Sequence, residues 1–134
     1  MESLIVNLKK EHDQIISVLN EVNTLGIYSE RGQILLIDSK TALLAHLHRE
    51  DTEFYPVLRK EAQKNDSLSR TLDVFAKEME SISKAALDFF EKYKSGGSGI
   101  EFARDFGRLF SILQMRIGRE ERILYPEFLK LQNS

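Results

Sequence analysis

The chain has 134 residues, of which 42% are hydrophobic and 30% charged, and its formal net charge is -2. This length suits one domain with a sizeable core, so we predict a single domain over residues 1–134. The charge balance argues against a nucleic-acid partner, and the absence of cysteine excludes disulfides, thiolate zinc sites and cysteine nucleophiles. Because no segment approaches about 18 uncharged apolar residues, no membrane span is expected, and we expect a soluble, cytoplasmic protein.

The first half of the sequence predicts two helices. Apolar residues recur at three- and four-residue steps from Glu2 to about Leu25, which indicates an amphipathic helix that Gly26 should end. A second helix is predicted from about Arg31 to about Gln63. Pro56 should bend or break this second helix, because proline removes a backbone hydrogen bond. The residues expected near its inward face are Leu35, Ala42, His46, Glu50 and Val57.

The second half predicts another pair of helices. Turn and N-cap residues at positions 65–67 precede a third helix that should end at about Tyr93. A flexible Ser-Gly-Gly-Ser-Gly linker follows, and Ser98 with Glu101 forms a capping-box signature for the fourth helix. The inward stripe of the third helix comprises Leu72, Phe75, Met79, Ile82, Ala86 and Phe89. That of the fourth comprises Phe102, Phe106, Leu109, Leu113, Arg116, Glu120 and Ile123.

Short connections make neighbouring helices run antiparallel, so the predicted fold is an all-α, up-down-up-down four-helix bundle. An internal repeat supports two related hairpins. The segment from His46 to Pro56 recurs 70 residues later as Arg116 to Pro126, and a weaker repeat joins Lys10-Glu11-His12 to Lys77-Glu78-Met79. The positions that match in the stronger repeat are Arg49 with Arg119, Glu50 with Glu120, Tyr55 with Tyr125, and Pro56 with Pro126.

A pseudo-two-fold axis between the hairpins would bring the repeated positions face to face. Each hairpin then offers one inward residue on its first helix and a pair spaced i, i+4 on its second. The first hairpin offers His12 with His46 and Glu50. The second offers Met79 with Arg116 and Glu120.

The sequence around these residues resembles the hemerythrin-like family of cation-binding domains. His12 lies within Lys-Lys-Glu-His-Asp, and the His-x-x-x-Glu pattern of His46 and Glu50 ends in Phe-Tyr-Pro. In that family a four-helix bundle holds two non-haem irons, with histidines on each metal and two bridging carboxylates. Members bind or sense dioxygen or related small molecules, or handle iron. The resemblance implies that His12 and His46 are ligands of one metal and that Glu50 and Glu120 are the bridges.

The residues that the second hairpin contributes form the second half-site. It departs from the family pattern, because Met79 and Arg116 stand where histidines are expected. An unpaired guanidinium buried on the apolar stripe would be very costly, so Arg116 needs carboxylate partners. The inward acids expected near it are Glu50, Glu120 and Glu53. Our hypothesis is that the charge of Arg116 occupies the place of the missing metal and neutralises these carboxylates.

The remaining set of His12, His46, Glu50 and Glu120 suits one iron, manganese or zinc ion. The cofactor is therefore one or two ions, with iron foremost, or no ion at all if Arg116 replaces the metal. These residues also have purely structural interpretations, in which Glu50 and Glu120 are acids on the helix surface and Met79 fills the core. His48 should face solvent, and the two Tyr-Pro pairs are expected to shape the ends of their helices.

Two functions follow from these alternatives. The first is a metal-binding protein with a reduced site, whose partners are the metal and dioxygen or another small ligand, or which handles metal. The second is a metal-free bundle that serves as a protein-interaction or regulatory module. We do not expect an enzyme, because such chemistry would need an open metal position.

Overall fold

The computed structural model describes residues 4–26, 28–94 and 97–132, and these residues form helices joined by short turns. The predicted start of the first helix at Glu2, and the first two residues of the Ser/Gly linker, lie outside the described residues. The helices are α1 (Leu4–Leu25), α2 (Glu30–Arg49), α3 (Tyr55–Ala62), α4 (Asp66–Lys92), α5 (Gly99–Arg119) and α6 (Tyr125–Gln132).

Two π-helical segments join α2 to α3 and α5 to α6, so that the described residues form four long rods. They span Glu50–Phe54 and Glu120–Leu124, and each lies just before a Tyr-Pro pair. A wider turn at this place spares the proline ring a clash with the carbonyl four residues earlier. The interruption predicted at Pro56 therefore takes the form of a widened turn, which begins six residues before the proline.

The widened turns correct the predicted inward stripes. A π turn contains one residue more than an α turn, so every later residue is rotated by about 100° relative to the expected pattern. Val57 and Ile123, predicted to face inward, are 42% and 40% exposed, while Leu58 and Leu124 are buried.

A second correction concerns α2, upstream of the first π-helical segment. Leu35 and Ala42, predicted to face inward, are only partly buried, and Leu36 and Leu43 fill the core instead.

The structure confirms the predicted helix ends at Gly26 and Asn65 and the start of the fourth helix after Ser98, but the predicted capping box at Ser98 is wrong. Gly26 ends α1 with a φ of 96°, a left-handed conformation that favours glycine. The side chain of Asn65 caps α4 by accepting a hydrogen bond from the backbone N–H of Leu68 at 3.1 Å. Ser98 precedes α5 but makes no side-chain capping bond, and Glu101 pairs with Lys92 instead of completing a capping box.

The rods enclose two apolar clusters with a polar layer between them. One cluster contains Ile15, Leu43, Phe106 and Leu113, and the other contains Leu8, Phe54, Phe75 and Leu124, each with further residues. His12 on the first rod, His46 with Glu50 on the second, and Arg116 with Glu120 on the fourth lie between the two clusters. Among the described residues, no helix combines the length and the apolar content that crossing a membrane requires.

Candidate metal centre

Four side chains from three rods meet in the polar layer. His12 comes from the middle of α1 and His46 from the last turn of α2, while Glu50 and Glu120 are the first residues of the two π-helical segments. Each is between 1% and 4% exposed, and one nitrogen or oxygen of each lies within 4.8 Å of the others. The two glutamates are therefore not surface acids, which was the structural alternative for them.

Both imidazoles turn the same nitrogen, Nε2, toward this meeting point. Nδ1 of His12 lies 2.8 Å from a carboxylate oxygen of Glu121, and Nδ1 of His46 lies 2.8 Å from one of Glu11. Because a carboxylate accepts hydrogen bonds, the proton of a neutral imidazole is assigned to Nδ1 and the lone pair to Nε2. Carboxylates in this position orient the histidine ligands of metal sites.

The buried Nε2 atom of His46 lacks a hydrogen-bond partner. It lies 3.0 Å from Oε1 of Glu50, and Nε2 of His12 lies 3.2 Å from Oε1 of Glu120. A lone pair that faces a carboxylate oxygen at this distance is repelled unless a proton or a cation lies between them. Two imidazole nitrogens and two carboxylates suit a first-row divalent metal, so these residues fit the ion that the sequence predicts.

The two buried carboxyl groups titrate as a coupled pair. Burial and the neighbouring Glu120 carboxylate raise the pKa of Glu50 to about 10. Burial also acts to raise the pKa of Glu120, but the contacts with His12, Glu50 and Tyr55 outweigh it and lower that pKa to about 2. Near neutral pH and without a cation, the pair therefore holds one proton and carries one negative charge.

Arg116 lies on the opposite side of Glu120 and is 5% exposed. Its Nη2 donates to the hydroxyl of Tyr55 at 2.7 Å, and its Nη1 donates to Oε2 of Glu78 at 3.3 Å. Its Nε is buried without a hydrogen bond, 3.8 Å from Oε2 of Glu120, and the guanidinium lies 4.3 Å from the ring centre of Phe75. The positive charge is thus held beside the carboxylates and away from bulk solvent.

The acids around Arg116 differ in part from those predicted. Glu53 is exposed and pairs with Arg49 at 3.1 Å, because the π-helical segment rotates it outward. Glu78 takes its place. Met79 is only partly buried and packs against the apolar cluster that contains Phe75, as expected for core filler.

The two hairpins make equivalent contacts. Glu11 on α1 binds His46 and Arg49, which lie on α2. Glu78 on α4 binds Arg116 and Arg119, which are their counterparts in the repeat. The guanidinium of Arg116 thus takes the position that the imidazole of His46 has in the first hairpin.

Sequence reasoning missed several residues of the site. The hydroxyls of Tyr55 and Tyr125 both point into the polar layer, whereas the Tyr-Pro pairs were expected only to shape helix ends. The repeat marks both tyrosines, and it also marks Glu11 and Glu78, so their matched positions were an available signal. Glu121, which binds His12, has no such signal in the sequence.

A groove between α4 and α5 leads from the surface to the Arg116 side of the site. Its volume is about 340 Å³, and its walls include Ile82 and Met115, with Glu78 and Arg119 beside Arg116. His48, predicted to face solvent, is exposed on the outside of the bundle and takes no part in the site.

In a comparison with protein families, the model described as "Hemerythrin HHE cation binding domain" matches residues 3–128. Searches among curated proteins and among solved structures find no match. The matched region includes every residue of the polar layer described above.

Proposed function

Because this chain belongs to the family of hemerythrin HHE cation-binding domains, we propose that it binds one metal ion, iron foremost, through His12, His46, Glu50 and Glu120. The observation that carries the proposal is the convergence of four buried donor atoms within 4.8 Å of one another. Manganese and zinc also accept this donor set. The proposal includes the antiparallel, up-down-up-down order of the four rods that the short connections favour.

The proposed stoichiometry is one ion, because the second half-site lacks its histidines. Arg116 supplies a fixed positive charge next to Oε2 of Glu120, which reduces the need for a second cation. The hydroxyl of Tyr55 also donates to that oxygen at 2.7 Å, so the outer side of Glu120 is already engaged. Oε1 of the same carboxylate faces His12 and remains suited to the ion.

We propose that the site serves binding or sensing of a small ligand such as dioxygen, or metal handling, rather than catalysis. Bound iron would supply a redox-active centre that can coordinate such a ligand. The protein residues hold and tune it: Glu11 and Glu121 orient the imidazoles, and the two apolar clusters exclude water above and below.

Elemental analysis of protein purified without chelator or affinity metal tests the proposal, with His12→Ala and Glu120→Gln run in parallel. The expected result is about one equivalent of metal that both variants lose. The exposed His48→Ala variant is a matched control and should keep its metal. Two equivalents would contradict the reduced site, and a metal-free wild type that also fails to take up added iron(II) would contradict metal binding.

A second candidate function is a metal-free interaction or regulatory module. The observation that favours it is that Arg116 and Tyr55 already hold Glu120, while a proton on Glu50 can satisfy the pair. In that case Arg116 is the only cation the site requires. A wild type that is folded and rejects added iron(II) would favour this function.

A further inference from the structure

Tyr125 places its hydroxyl oxygen among the proposed ligand atoms. This oxygen lies 3.2 Å from Oε1 of Glu120, 3.3 Å from Oε2 of Glu50 and 3.3 Å from Nε2 of His12. Its ring is stacked on that of His12, with 5.6 Å between ring centres and 4° between planes, and the side chain is fully buried. The oxygen therefore has three close neighbours and cannot shift far from any of them.

These distances are long for the hydrogen bonds of a hydroxyl group. An O–H···O bond has its usual length at about 2.7 to 2.8 Å, and one hydroxyl proton can satisfy only one acceptor well. The Tyr125 oxygen is almost equidistant from three acceptors, and all three distances are longer than the usual length of a hydroxyl hydrogen bond. This arrangement differs from that of an ordinary buried tyrosine, whose hydroxyl is committed to one partner.

The same distances are those found between neighbouring ligands of a single ion. Bonds of about 2.1 Å from a metal to nitrogen or oxygen put adjacent ligand atoms about 3.0 to 3.4 Å apart, depending on the coordination angles. The two histidine–glutamate separations, 3.0 and 3.2 Å, fall in this range. So do all three separations of the Tyr125 oxygen.

Tyr55 is the counterpart of Tyr125 in the repeat and provides the contrast. Its hydroxyl donates to Oε2 of Glu120 at 2.7 Å and accepts from Nη2 of Arg116 at 2.7 Å. Both lengths are those of normal, charge-assisted hydrogen bonds. Tyr55, beside Arg116, is thus committed to hydrogen bonding. The hydroxyl of Tyr125, beside His12, is instead surrounded by proposed ligand atoms.

We propose that the Oη atom of Tyr125 is a fifth protein ligand of the ion held by His12, His46, Glu50 and Glu120. This inference rests on the proposed metal binding and deepens it. The bond that forms joins Oη to the ion, the bond that breaks is O–H, and the proton leaves to solvent. An anionic oxygen ligand favours the trivalent state, so iron(III) should be stabilised in this site.

The test uses the full chain loaded with iron(II) without oxygen and then oxidised by ferricyanide, which accepts one electron per iron. A phenolate bound to iron(III) gives a visible charge-transfer band and resonance-enhanced ring vibrations. Wild type should show both, and so should Tyr55→Phe wherever it contains iron. Tyr125→Phe, which keeps the four other proposed ligands, should show neither signal even in samples that contain iron.

Each outcome separates this inference from the proposed function. Iron in the wild type without the band, or a band that persists in Tyr125→Phe, overturns tyrosine ligation and leaves metal binding intact. Failure of the wild type to hold iron overturns both. Elemental analysis of the same samples distinguishes these cases.

Protein containing ring-deuterated tyrosine keeps the inference testable if Tyr125→Phe does not fold or does not hold iron. Shifted vibrations in the labelled wild type identify a tyrosine ligand, and their persistence in Tyr55→Phe assigns it to Tyr125. The other two tyrosines are engaged elsewhere, Tyr28 with the carbonyl of Gly99 and Tyr93 with Asp105. Unshifted vibrations, or loss of the band in Tyr55→Phe, would overturn the assignment.

Discussion

Replacing Arg116 by methionine should destabilise the metal-free protein by about 2 to 4 kcal/mol, because it removes the cation that accompanies a buried carboxylate. Methionine has a similar length and fills most of the space, so the cavity contribution is small. The charge and its hydrogen bonds are what the substitution removes.

The magnitude follows from three contacts. The bond from Nη2 to Tyr55, at 2.7 Å and fully buried, contributes about 1.5 kcal/mol or more, as is typical when one partner is charged. The contact with Glu78 is weaker, because it is 3.3 Å long and the carboxylate is one-third exposed. The attraction to Glu120 acts over 3.8 Å between groups that are 4% and 2% exposed, and its loss leaves that carboxylate less compensated.

Arg119→Met is the matched control. Arg119 binds the same Glu78 carboxylate from the same helix, but its side chain is 29% exposed and it has no contact with Glu120. We therefore expect it to cost less than about 1 kcal/mol. Urea denaturation of chelator-treated protein, with the midpoint compared at constant slope, measures both values. Equal losses in the two variants, or a loss below about 0.5 kcal/mol for Arg116→Met, would refute the role of Arg116 as the buried counter-charge.

Three further predictions concern the metal itself. The double variant Met79→His with Arg116→His restores the missing imidazoles, so elemental analysis should show about two equivalents of metal instead of about one. An unchanged metal content would contradict the view that these two positions are the lost histidine ligands. The pKa of Glu50 in the metal-free protein is raised to about 10, so metal binding at pH 7 should release a proton from Glu50, and metal affinity should rise with pH up to that value. Calorimetry in buffers of different ionisation enthalpy measures the number of protons released. Binding without proton release would refute the assignment of Glu50 as a ligand. Glu11→Ala should weaken metal binding by about 10- to 100-fold, because Nδ1 of His46 loses its hydrogen-bond acceptor. Competition with a chelating dye measures the ratio of the two affinities. An unchanged affinity would show that Glu11 does not orient His46 for metal binding.

Much of the candidate metal centre could be predicted from the sequence. The His-x-x-x-Glu spacing puts His46 and Glu50 on one face of a helix wherever that helix lies, and the repeat pairs them with Arg116 and Glu120. The polar layer itself, with His12 buried on α1, agrees with this prediction. These inferences needed only helical periodicity and the internal repeat, which are local properties of the chain.

The inward stripes beyond the site could not be predicted in this way. The sequence pattern assumes 3.6 residues per turn throughout, and the π-helical segments break that assumption at Glu50 and Glu120. As a result Val57 and Ile123 face outward, and Glu53 is removed from the site. A prolyl residue signals an interruption, but whether the helix bends, breaks or widens depends on what the next residues pack against.

The amino-acid sequence by itself determined the helical class, the two-hairpin repeat and the identity of the residues at its inward positions, because these follow from spacing along one chain. Only the tertiary structure decided which carboxylate each cation binds, which nitrogen each imidazole presents, and that Tyr125 rather than Tyr55 lies among the donor atoms. Such choices depend on distances between side chains from different rods. Those distances are set by how the rods pack, and no periodicity within a single rod contains them.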